Sequence, residues 1–373
     1  MEAETSRFYT YNKIMAVPAV YRMIIGKRSN GKTYGWGQMC IDHYIDDGLP
    51  SAYIRRLDTQ IQPKEIETLF NPHVERIKKK SGGKWNAVQY RANAFYLCRF
   101  EENKAGNMVK VAQDVTPFCR TYSINTWETS KGADRGQVWS ICFDEFITNK
   151  FYLSDEFKMF TNLLSTIMRG RPCEIFMLAN TISKSCIYFR EMGIRHIREM
   201  SKGELDVYHI GKTSKQIAIE YSDNPGATEE INDYFAFDNP ELKMITSGDW
   251  EIAMYRHAPQ EMNRRGRILQ NFYIEHDGLT LQGELRMYEK YPIIFVHPKT
   301  TEIKDREKQI IYVADQVDGN PLHQMSLKIA PTRAHKIIRD LILQRKTFFA
   351  DNECGEEFAS WAQNTQGLAR EVI

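Results

Sequence analysis

A chain of 373 residues carries a prior of two to three domains and is long enough to bury more than one core. Its 42% hydrophobic and 26% charged residues are ordinary for a globular protein, and 12% aromatics argue against a disordered one. A formal net charge of +2 excludes a polybasic nucleic-acid coat, so any contact with DNA or RNA has to come from local patches. Seven cysteines with no Cys-x-x-Cys pair exclude a disulfide framework, give no zinc spacing and fit a reducing compartment. No apolar run approaches the ~18 residues of a membrane span. The opening Met-Glu-Ala-Glu-Thr lacks the charged-then-apolar layout of a secretory signal.

After a mixed leader holding Tyr9, Tyr11 and Pro18, Val20–Ile25 reads as a buried strand. A glycine-bounded loop follows, then a helix over Lys32–Ile45, in which Gly35 and Gly37 each cost about 1 kcal/mol relative to alanine. Ala52–Arg56 is a second strand. Residues 57–130 are the least regular part, with a basic run from Arg76 to Lys84 and a hairpin of Ala94–Phe100 with Met108–Gln113. Val138–Phe143 is a third strand. Ser154 predicts a helix start as the capping hydroxyl, with Asp155 and Glu156 facing the positive helix end. Phe157, Phe160, Leu164 and Ile167 follow at helical spacing, and Gly170 and Pro172 stop the helix. Glu174–Leu178 is a fourth strand. This alternation predicts a mostly parallel sheet between helices.

Asp223-Asn-Pro-Gly226 marks a turn and a boundary. A small connecting module precedes a second β-rich region, where Ile268–His276 and Leu279–Tyr288 flank Asp277-Gly278 as a hairpin. Pro292–Val296 and Gln309–Val313 add apolar segments, and helices near Thr332–Phe349 and Glu356–Gln363 close the chain. The first of these carries a basic face of Arg333, His335, Lys336, Arg339, Arg345 and Lys346 opposite Ile337, Ile338, Leu341 and Ile342. The expected division is 1–222, a linker at 223–256, and 257–373.

Gly26-Lys-Arg-Ser-Asn-Gly31-Lys32-Thr33 matches G-x-x-x-x-G-K-[ST] in full, after an apolar strand and at the start of a helix. Glycines let backbone N–H groups curl around phosphate oxygens at a helix N-terminus whose dipole favours anions. Gly26, Arg28, Asn30 and Gly31 would line this loop. Lys32 would reach the β- and γ-phosphates of ATP, and the Thr33 hydroxyl would ligate Mg²⁺. The third strand ends in Asp144-Glu145. Asp144 is placed to hold the metal beside Lys32, and Glu145 to polarise an attacking water.

Ile25–Tyr34, Tyr53-Ile-Arg-Arg56, Ile141-Cys-Phe-Asp-Glu-Phe146 and Met177-Leu-Ala-Asn180 occur in one order. Together they resemble the DNA-packaging (encapsidation) ATPases of small protein-primed tailed phages, relatives of the terminase large subunits. The resemblance covers about residues 20–190. It implies a P-loop ASCE ATPase domain, then a small linker and an RNase H-like α+β domain. It also implies a homo-oligomeric ring, a pentamer, that drives double-stranded DNA through the portal into a preformed capsid. A packaging RNA is a candidate further partner that the sequence does not decide, and no membrane is expected. The location is the host cytoplasm, at the procapsid portal vertex. Residue by residue, Arg169 aligns with an arginine finger acting on a neighbour's γ-phosphate, with Arg171 in reserve. Lys131 resembles a second nucleotide-sensing cation, and Asn180 a reporter of the γ-phosphate. Arg55 and Arg56 read as structural.

A motor that grips any sequence should hold the phosphate backbone, and Lys78, Lys79, Lys80 and Lys84 suit that task. Arg264, Arg265 and Arg267 form a second cluster. Two-metal nuclease chemistry needs converging carboxylates. Glu275, Asp277, Asp315 and Asp318 are the acids available, and their pattern favours a vestigial over an active nuclease. The alternatives are a terminase that also cuts DNA, a P-loop phosphotransferase, and a nucleotide-gated scaffold without turnover.

Overall fold

The computed structural model describes residues 8–130, 136–148, 152–153, 155–180, 186–224, 255–258, 266–276, 279–313 and 318–368. Lys131, Ser154, Arg264, Arg265, Asp277, Asp315 and nearly all of the expected linker lie outside them. The chain folds as two units. One gathers 1–147, 155–182 and 194–250, the other 148–154, 183–193 and 251–373.

The first unit is built on strands β1 (Tyr21–Gly26), β2 (Ser51–Arg55), β3 (Ala87–Arg91), β4 (Ala94–Glu102), β5 (Met108–Gln113), β6 (Cys119–Ser123), β7 (Ser140–Asp144), β8 (Glu174–Asn180), β9 (Leu205–His209) and β10 (Gln216–Tyr221). They form one sheet in the order β3-β4-β6-β2-β7-β8-β1-β10-β9, with β5 paired to β4. The run from β6 to β10 is parallel throughout. Its strands are buried nearly end to end, as a sheet covered on both faces requires. Register brings Gly26 beside Asn180 and Asp144 beside Leu178. The carboxyl ends of β1, β7 and β8 therefore share one edge, where open α/β sheets bind ligands.

The Lys32–Asp47 helix follows β1 and ends at Gly48, which is left-handed. Gly35 and Gly37, unfavourable by helix propensity, sit where rings press on the helix. A Cβ on Gly35 would lie 2.8 Å from the Tyr11 ring, and one on Gly37 2.9 Å from His73. The Glu156–Met168 helix forms as expected, but Asp155 occupies its N-cap at φ 57° and makes no side-chain capping bond.

In the second unit, β11 (Arg267–His276), β12 (Leu279–Tyr288), β13 (Tyr291–Pro298), β14 (Ile310–Val313), β15 (His323–Gln324) and β16 (Thr347–Phe349) order as β15-β14-β11-β12-β13-β16. β11 to β13 form an antiparallel meander, while β14 joins β11 in parallel. The sheet of this unit is therefore mixed, antiparallel at its centre and parallel toward both edges. Phe272 crosses directly over Gly283, whose absent side chain leaves room for the ring. The helix expected over Thr332–Phe349 is shorter. It runs Arg333–Leu343, Arg345 turns left-handed at φ 56°, and Thr347–Phe349 becomes β16. Thr332 caps it by accepting from the His335 N–H. His335 is fully buried with its ring bonded to the Thr332 hydroxyl at 2.7 Å, so it is not part of the basic face. The last helix is longer than expected, Asn352–Gln366.

Candidate nucleotide site

The loop between β1 and the Lys32–Asp47 helix turns through Ser29 (φ 56°) and Gly31 (φ 92°). Asn30 pins it from within, fully buried and bonded through Nδ2 to Ser222 Oγ at 3.1 Å. The Lys32 ammonium is buried and donates to Lys27 O (2.7 Å), Asn30 Oδ1 (3.0 Å) and Gly26 O (3.2 Å). Burial pushes its pKa down to about 7 against the opposing pull of Asp144.

Asp144 stands at the end of β7. Its Oδ2 accepts from Thr33 Oγ1 at 2.9 Å and from Tyr53 Oη at 2.8 Å. Two hard oxygen donors, Thr33 Oγ1 and Asp144 Oδ2, thus sit side by side next to Lys32, a donor set that fits Mg²⁺. Glu145 follows in a left-handed conformation, φ 60°, with its side chain half exposed. Its carboxylate pairs with Arg55 Nη2, while Arg55 Nη1 lies 3.9 Å from Asp144. Burial lowers the Arg55 pKa, but Tyr53, Asp144 and Glu145 outweigh it and hold the guanidinium firmly charged. Arg56 is buried and bonds Glu145 O at 3.1 Å, Phe146 O at 2.8 Å and the buried Glu156 carboxylate at 2.9 and 3.1 Å.

A cleft of about 1120 Å³ collects these groups. Arg28, Asn30, Gly31, Lys32, Thr33, Asp144, Glu145 and Asn180 all line it. So do Phe8–Asn12 of the leader, which sequence reading left without a role. The leader is clasped to the loop. The Tyr9 N–H donates to Asn30 O (2.7 Å), Tyr9 Oη donates to the buried Glu220 (2.7 Å) and Tyr11 Oη donates to Lys32 O (2.7 Å). Tyr34, half exposed in the cleft, stacks on His73 at 4.3 Å. Burial, with Arg76 beside it, pushes the His73 pKa down to about 4 and keeps the ring neutral.

The other expected residues lie apart. Arg169 is the exposed left-handed C-cap of the Glu156–Met168 helix (φ 47°) and does not line the cleft. Lys78, Lys79 and Lys84 are exposed, whereas Lys80 and Arg76 are drawn to Asp42 and Asp46 of the Lys32–Asp47 helix. In the second unit, Glu275 is held by both Nη atoms of Arg306, and Asp318 pairs with His323 at 2.7 Å. Among the described residues no group of three or more His, Cys, Asp or Glu is placed to hold a metal. No described helix is long and apolar enough to cross a membrane.

The loop after β1, the Thr33–Asp144 hydroxyl–carboxylate pair and a second acid, Glu145, thus gather at the carboxyl edge of a parallel sheet, where open α/β sheets bind ligands. The chain belongs to the Podovirus DNA encapsidation protein (Gp16) family, whose sequence model matches residues 3–212. The DNA packaging proteins of Bacillus phages PZA and phi29 are each 24% identical to it over 190 residues, 50% of this chain and 50% of theirs. The chain thus spans about half the length of the curated relatives it matches. The fold is shared with the Phi-28 gp11 DNA packaging motor (16% identity, TM-score 0.55, covering 95% of this chain and 97% of that one). It is also shared with a chain of the bacteriophage Phi-29 viral genome packaging motor assembly (17% identity, TM-score 0.54, covering 95% and 100%).

Proposed function

We propose that this chain is the ATP-hydrolysing subunit of a ring motor, a homopentamer, that moves double-stranded viral DNA through a portal into a preformed capsid. The observation that carries the reading is the convergence of Lys32, Thr33, Asp144 and Glu145 in one cleft of an encapsidation-family chain. ATP is the substrate. Lys32 and the loop N–H groups bind and orient its phosphates. Thr33 and Asp144 are the residues that would hold Mg²⁺, which when bound neutralises charge on the phosphate oxygens. Glu145 takes the proton of the attacking water. Arg55 competes for that carboxylate, so the base must leave this partner before it acts.

Arg169, outside its own cleft, serves a neighbouring subunit's site as an arginine finger, and Lys131 is a second cation for the nucleotide. Asn180 reports on the γ-phosphate from the end of β8. Lys78, Lys79 and Lys84, with Lys80 partly neutralised, contact the DNA backbone. A packaging RNA and the portal are the further partners, met in the host cytoplasm at the procapsid portal vertex. The bidentate Arg306–Glu275 pair supports a vestigial nuclease in the second unit.

A packaging reaction with purified procapsids, linear double-stranded DNA and ATP tests the motor reading. Wild-type protein is expected to give nuclease-protected DNA and Lys32→Ala none. Wild-type protein that hydrolyses ATP without protecting any DNA would overturn it.

A further inference from the structure

Glu145 is the base of the proposed reaction, yet its backbone is left-handed, a conformation disfavoured for any residue with a Cβ. Something must hold it there. Its N–H donates to Asp144 Oδ1 at 3.0 Å, and the next N–H, of Phe146, donates to Leu178 O on β8 at 3.2 Å. Both following carbonyls, of Glu145 and Phe146, accept from one guanidinium, that of Arg56. The third edge of the same guanidinium is turned to Glu156, whose two oxygens both accept from Nε. Arg56 and Glu156 are 7% and 1% exposed, so neither is held by chance at a surface.

We infer that Arg56, oriented by Glu156, is a positioning residue that fixes the backbone of Glu145 in the conformation from which its carboxylate reaches the water. The inference rests on the hydrolase reading above. Arg56 touches no substrate and acts only through the direction of the Glu145 Cα–Cβ bond. A planar fork serves three acceptors at once, and a lysine in its place keeps the charge for Glu156 but cannot span both carbonyls. Arg55, one residue earlier, engages the side chain of the same glutamate, so the end of β2 controls both its backbone and its carboxylate.

The test is Arg56→Lys, read as kcat, affinity for a fluorescent ATP analogue, and melting temperature. Small displacements of a reacting group cost up to about 100-fold. The expected result is a kcat about 10- to 100-fold lower, with affinity within about twofold of wild type. In a Glu145→Gln background, Arg56→Lys should change the residual rate by less than about twofold, because residues acting as one unit are not additive. Should Arg56→Lys fail to fold, the paired exchange Arg56→Met with Glu156→Leu removes both buried charges together and takes the same readouts. A folded variant with unchanged kcat, or losses that multiply with Glu145→Gln, overturns the inference. If wild type hydrolyses ATP, Glu145→Gln does not and Arg56→Lys does so at the wild-type rate, this inference fails alone. If wild type hydrolyses nothing, the hydrolase reading has failed and takes this inference with it.

Discussion

Each unit of the molecule has acids at or near the end of a strand with an arginine beside them, and the two arrangements differ in what the arginine leaves open. Glu275 on β11 has both oxygens taken by Arg306, and Asp318 is occupied by His323. Asp144 on β7 instead accepts from the neutral hydroxyls of Thr33 and Tyr53 with Arg55 no nearer than 3.9 Å, and the half-exposed Glu145 meets Arg55 through one oxygen. A carboxylate at a strand end is therefore not yet a site. One whose charge is already answered in its own unit has little left to offer a metal. One set among hydroxyls and a phosphate loop still has charge to offer.

This comparison is broken most forcefully at Arg169. If the first unit's cleft takes its last cation from a neighbour, Arg169→Ala should lower kcat about 10³- to 10⁵-fold. Activity should return when it is mixed with Glu145→Gln, which supplies the arginine. A steady-state assay of the mixture reads this directly, and co-assembled rings that stay inactive contradict it.

Packing in the second unit gives the next largest effect. A Cβ on Gly283 would lie 2.1 Å from the Phe272 ring, so Gly283→Ala should destabilise by about 3 kcal/mol or more in denaturant titration. At Gly35 the clash with Tyr11 is milder, 2.8 Å, and the helix gains about 1 kcal/mol from alanine, so Gly35→Ala should cost less.

How much of this was legible beforehand varies by region. The phosphate loop, the acid pair and the four strands β1, β2, β7 and β8 stand in short local patterns and could be read. The strands β3, β6, β9 and β10 could not. β10 is broken by Glu220, whose burial makes sense only once Tyr9, far away in sequence, donates to it. The late helix was read too long because nothing but the left-handed turn at Arg345 ends its apolar period. In the site, Phe8–Asn12 were missed because their contacts cross the fold with no spacing to betray them, and Arg55 and Arg56, read only as structural, both engage Glu145. A pair of arginines closing a buried apolar strand was the available signal.

Lys32 allows a smaller, pH-dependent test. Its folded pKa of about 7 lies below the ordinary 10.5, so above pH 7 the free site is increasingly neutral while bound phosphate favours the ammonium. Affinity for ATP should weaken with rising pH by up to about tenfold per unit, with net proton uptake on binding. Calorimetry in buffers of different ionisation enthalpy measures that uptake. The stability of the free protein runs the opposite way with pH. The unfolded chain binds more protons between the two pKa values, so this group's contribution rises from pH 7 to 10.5. Smallest of all, Glu275→Gln should leave ATP hydrolysis unchanged and cost no more than about 1 kcal/mol, because the pair with Arg306 is partly exposed.

The most direct measurement is ATP hydrolysis with and without linear double-stranded DNA, for wild type and Glu145→Gln. The account predicts turnover stimulated by DNA in wild type, and in Glu145→Gln a loss of about 10²- to 10⁴-fold with nucleotide binding intact. Hydrolysis that ignores DNA and survives Glu145→Gln would contradict it and point to a phosphotransferase with an acceptor still to be found.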